Sequence, residues 1–88
     1  MTLTRINEST EITVNQARRM YPDKYIFMII DKQVDFSGNN IGRVIFIMDS
    51  KEEIYNVDMA EFAGRTKKIV EGIEILRRPS IGGISIEA

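Results

Sequence analysis

The chain has 88 residues, 43% of them apolar and 28% charged, with a formal net charge of −1, a balance typical of folded domains rather than disordered segments. It contains neither cysteine nor histidine, which excludes disulfide stapling, thiolate catalysis, iron–sulfur ligation and the usual neutral-pH acid–base side chain. A metal site would have to be built from carboxylates alone, a donor set suited to magnesium or calcium; no metal site and no cofactor is expected.

This length supports one small α+β domain over 1–88, with 1–11 as a flexible arm or an edge strand. Thr13 with Gln16 three residues later is a capping-box pattern, so a helix begins after Thr13. Pro22 ends it, because proline biases the preceding residue away from helical dihedrals. Lys24 to Ile30 is aromatic and β-branched and apolar at every position after the lysine, which predicts a central strand covered on both faces. Asp31-Lys32 reads as a turn, Gln33 to Phe36 as a short strand arm, and Ser37-Gly38-Asn39-Asn40 as a loop. Arg43 to Met48 is a second buried strand.

Ser50 with Glu53 repeats the capping-box pattern and predicts a helix from Lys51. The stretch that follows reads two ways. Met59, Phe62, Ala63, Thr66, Ile69, Val70 and Ile73 fall at helical spacing. Gly64 inside such a helix costs about 1 kcal/mol relative to alanine, and favours a helix over 51–63 followed by a strand over 67–76. The tail predicts a hairpin, with Ile73–Leu76 and Ile84–Glu87 as its strands around the turn formers of 77–83. The expected architecture is therefore a small single-layer mixed or antiparallel β-sheet with two helices, in the order α-β-β-α-β-β.

Three groups of side chains bear on function. Between Arg65 and Arg78 there are five bases against two acids, a local balance of +3. If Arg65, Lys67, Lys68, Arg77 and Arg78 converge, they form a nucleic-acid or anion-binding surface, although none of the chain's aromatics stands among them as a stacking platform. Asp31 and Asp49 both follow buried strands, and Asp35 stands four residues after Asp31; if the three meet, they could hold a divalent cation or act as acid and base. The Gly38–Gly42 and Gly82-Gly83 segments lack the strand–turn–helix setting of a phosphate loop. Ser50 lacks the flanking glycines of a nucleophile elbow, and capping accounts for it.

The third feature is the apolar surplus. Two strands oily on both faces need two layers of cover, which either the chain's own helices or a second copy provides. The function expected on this basis is a protein-interaction or assembly module that self-associates as a homo-oligomer. The alternatives are a nucleic-acid-binding accessory protein using 65–78 and a carboxylate or metal-assisted enzyme. No membrane partner is expected, since no apolar run approaches the twenty or so residues of a spanning helix, and the cytoplasm is the expected location.

Overall fold

The structure, a computed structural model, describes residues 3–6, 9–34 and 38–78. In chain order the elements are β1 (Thr4–Arg5), β2 (Ile12–Thr13), α1 (Val14–Met20), β3 (Tyr25–Lys32), β4 (Ile41–Met48), a 3-10 helix at Lys51–Asn56, a second at Met59–Phe62, β5 (Thr66–Glu71) and α2 (Ile73–Arg77). The strands form one antiparallel sheet in the order β1-β4-β3-β5, with β2 also pairing with β4.

The first helix starts as its sequence dictates. Thr13 Oγ1 accepts the N–H of Gln16 at 3.1 Å, and Gln16 Oε1 accepts the N–H of Thr13 at 2.8 Å. The two preceding orphan donors are met by the loop, with the N–H of Val14 donating to the Asn40 carbonyl at 3.0 Å and that of Asn15 to the Gly38 carbonyl at 2.9 Å. Asn40 is itself buried, and its Oδ1 accepts the N–H of Val34 at 2.7 Å. Helix start and loop are thus one hydrogen-bonded unit.

The period-two alternation of β3 sorts its side chains between two cores. Ile26, Met28 and Ile30 join Val44 and Val70 beneath Val14 and Ala17 of α1. Phe27 and Ile29 point the other way, to Ile45, Phe46, Met48, Val57 and Phe62. A register shift after Phe27 places both Ile45 and Phe46 in the second core, although they are adjacent in sequence; a β-bulge turns two consecutive side chains to one side. Phe27, Phe46 and Phe62 pack with ring centroids 5.3–6.3 Å apart in tilted and edge-on geometries, the arrangement aromatic quadrupoles favour. At about 1.5–3 kcal/mol for each fully buried large side chain, the two cores are the main source of stability. Both oily strands are therefore sheltered on both faces by the chain's own elements.

The expected order α-β-β-α-β-β with two helices does not hold, for three physical reasons. Two short strands precede α1. The helix expected over 51–63 is instead two 3-10 helices, because Val57 adopts an extended conformation (φ −90°, ψ 133°) and is buried in the second core. Asp58 then caps a fresh turn by accepting the N–H of Ala60 at 3.1 Å. The strand expected over 67–76 ends at Glu71, and Ile73–Arg77 is helical. At Gly72 the chain passes so close to the end of α1 that a Cβ would lie 2.3 Å from the Tyr21 carbonyl oxygen. The N–H of Glu74 donates to Pro22 at 2.9 Å, and Ile75 is buried. This contact with the Tyr21–Pro22 turn lifts residues 73–77 out of the sheet. Of the expected hairpin arm at 33–36, residues 35 and 36 lie outside the described residues, as does all of the predicted strand 84–87.

Candidate functional site

Pairing within the sheet decides where the charged side chains go. Because β3 and β4 are antiparallel, Asp31 near the end of one and Asp49 just past the end of the other stand at opposite ends of the sheet, roughly 20 Å apart along the strands. Asp31 accepts from Arg43 Nε at 2.8 Å and from Arg65 Nη2 at 3.1 Å. The hydrogen bonds from Arg43 hold its carboxyl below the usual carboxylate range, and those from Arg65 act in the same direction. Asp49 accepts from Lys24 Nζ at 2.5 Å. Asp35 lies outside the described residues. Asp31 and Asp49 are thus separately paired and do not share a site, and among the described residues no three acids stand where they could hold a metal ion together.

The five bases of 65–78 are dispersed as well. Arg65 is committed to Asp31 beyond one end of β5. Lys67 and Lys68 are neighbours in the strand and so point to opposite faces. Lys67 lies opposite Ile29, and its Nζ donates to the Phe62 carbonyl at 3.0 Å and the Arg65 carbonyl at 2.8 Å. Lys68 lies opposite Met28, on the face that α1 covers. Arg77 and Arg78 follow at the far end of β5, roughly 17 Å from its start. Arg78 borders a shallow polar depression of about 260 Å³ with Tyr25, Asp49, Ser50, Lys51 and Glu52. The five are thus spread along β5 and α2, with Lys67 and Lys68 on opposite faces of the strand and Arg77 and Arg78 at the other end from Arg65.

What the sheet does present is an asymmetry between its edges. On the β4 side, two strands of two residues each, β1 and β2, cover the edge. Arg5 reinforces β1 through a two-pronged ion pair with Glu61, and stands 5.3 Å above the Phe46 ring. On the other side β5 is a six-residue strand paired only with β3 among the described residues.

The direction of its amides follows from one bond. The N–H of Gly72 donates to Lys24 at 2.9 Å, in register with the Tyr25–Glu71 pair. In an antiparallel ladder the inward-bonding residues alternate, so Thr66, Lys68 and Val70 bond toward β3. Lys67, Ile69 and Glu71 turn their N–H and C=O groups outward.

Beside that edge, on the second-core face, Ile69, Ile54 and Tyr55 line an open depression of about 240 Å³ with Lys51 and Glu52. Tyr55 is 87% exposed. The helix expected over 51–63 gave no sign of this surface, since it singled out no exposed apolar side chain there. The 3-10 geometry instead leaves Tyr55 standing out from the sheet flank.

Comparison with protein-family models, with curated proteins and with solved structures gave no match, so the functional argument rests on this surface. Among the described residues no helix is long and apolar enough to cross a membrane.

Proposed function

We propose that this chain is a small protein-interaction module that self-associates, and that the β5 side of its sheet is the associating surface. The observation that carries the reading is that, among the described residues, β5 pairs only with β3, next to the apolar side chains of Ile54, Tyr55 and Ile69. A strand edge with outward N–H and C=O groups is a template for another strand, and main-chain hydrogen bonds supply affinity in such additions while flanking side chains supply selectivity. The sheet faces do not need a partner, since α1 covers one and the 3-10 segment the other. A nucleic-acid role draws no support from the dispersed bases, and an acid–base site draws none from the separated aspartates.

Sedimentation equilibrium of the full chain across a wide concentration range tests this. The expected result is a rise from 10.1 kDa toward twice that mass as concentration increases, with an interface above about 1,000 Å² in the dimer. A mass that stays at the monomer value at millimolar concentration would remove the reading.

A further inference from the structure

We infer that the partner on the β5 edge is a second copy of the same strand, paired antiparallel about a two-fold axis at Ile69; this rests on the self-association proposed above. A two-fold axis perpendicular to the sheet keeps each face continuous across the interface, so only residues of the same face can stand opposite each other. The outward-directed residues are those of one parity, Lys67, Ile69 and Glu71, and they must meet outward-directed residues of the partner to exchange ladder bonds. The axis must therefore pass through a residue position and not between two.

Three centres come into question, and charge separates them. An axis at Lys68 sets Lys68 against its own copy, a like-charge pair in the closest cross-strand position. An axis at Val70 shortens the ladder, because α2 begins at Ile73 and its helical backbone cannot continue the pairing. An axis at Ile69 sets Lys67 opposite the partner's Glu71 on both sides of the axis, with Ile69 against its copy between them. Lys68 then meets Val70, and Thr66 meets Gly72. Every outward pair in this register is either opposite in charge or apolar, and the ladder closes with about six main-chain hydrogen bonds.

Lys67 Nζ would turn from the Phe62 and Arg65 carbonyls to the partner's Glu71, while the other side chains already stand at the edge. Glu71 is held at the edge by Lys51 Nζ at 3.2 Å, and Ile69 is only partly covered, by the second core. Tyr55 and Ile54 stand next to Ile69, where they would close over the partner's strand. The lysines also give selectivity, since edge lysines repel most incoming strands and the Ile69-centred register is the one in which Lys67 faces an acid.

The chain has no cysteine, so single cysteines report the register cleanly. Opposed residues in a hydrogen-bonded antiparallel pair lie about 5.5 Å apart at Cα, within disulfide reach, whereas residues two positions out of register lie beyond about 7 Å. Full-length Ile69→Cys and Lys68→Cys variants, folded as judged by circular dichroism, are to be oxidised at a concentration where the wild type sediments as a dimer. The expected result is a covalent dimer from Ile69→Cys and none from Lys68→Cys. Lys67→Glu, which sets two like-charged pairs against each other, is expected to raise the dimer dissociation constant about tenfold. If Lys68→Cys links and Ile69→Cys does not, the register is wrong while self-association stands. If neither links, or Lys67→Glu leaves the dimer unchanged, the Ile69-centred pairing is wrong, whether or not the chain self-associates. If the wild type is monomeric throughout, both the inference and the reading beneath it fall.

Discussion

Asp31 shows how one residue's setting decides between chemistry and architecture. At the end of an oily strand a carboxylate can serve a cation or a proton, yet here it receives Arg43 from β4 and Arg65 from the approach to β5. It fastens the three central strands at one end of the sheet. Its folded pKa lies below the ordinary value because Arg43 donates to the charged form. A carboxyl with a depressed folded pKa adds stability above its unfolded pKa, and that stability is lost as pH falls through the folded value. Asp31→Asn is therefore expected to lower stability at pH 7 by about 0.5–1 kcal/mol, the upper range for a largely surface pair. The gap between variant and wild type should close below the carboxylate range. Urea denaturation at pH 7 and at pH 2.5 measures both; a gap that persists in acid would mean that Asp31 contributes by packing and not by charge.

At the scale of elements, the capping box of α1 is the most local device in the fold. Thr13→Ala removes the side-chain acceptor of the Gln16 N–H and is expected to cost about 1 kcal/mol, seen as a lower urea midpoint with an unchanged slope. An unaltered midpoint would show that the loop carbonyls of Gly38 and Asn40 hold the helix start alone.

What was legible in the sequence follows the same division between local and distant causes. The first helix, both central strands and the cap at Ser50 depend on neighbours within four residues or on an unbroken apolar run, and these are visible in the order of residues. The break at Val57 and the helix at Ile73–Arg77 are not visible there. They depend on a residue reaching a core built by Phe27 and Phe46, and on a glycine passing the Tyr21–Pro22 turn, both distant in sequence. Gly64 was legible as an end point, and it does adopt the left-handed conformation (φ +78°) with open space around it, just before β5 begins. The basic residues of 65–78 could be counted but not placed, because their dispersal depends on whether 73–77 is strand or helix. The surface at Tyr55 needed the 3-10 geometry to be seen at all.

At the scale of the molecule, a chain this small covers both faces of its sheet and one of its two edges with its own residues among those described. The apolar surplus suggests either a self-sufficient monomer or a covered partner face. The structure answers the face question from within the chain, so the proposed association is assigned to the β5 edge. Amide hydrogen exchange along β5, read residue by residue at increasing protein concentration, tests this most directly. The amides of Lys68 and Val70 should be protected at every concentration, and those of Lys67, Ile69 and Glu71 should gain protection only as the dimer forms. Protection of the second set in dilute monomer, or its absence in a sample that sediments as a dimer, would contradict the account.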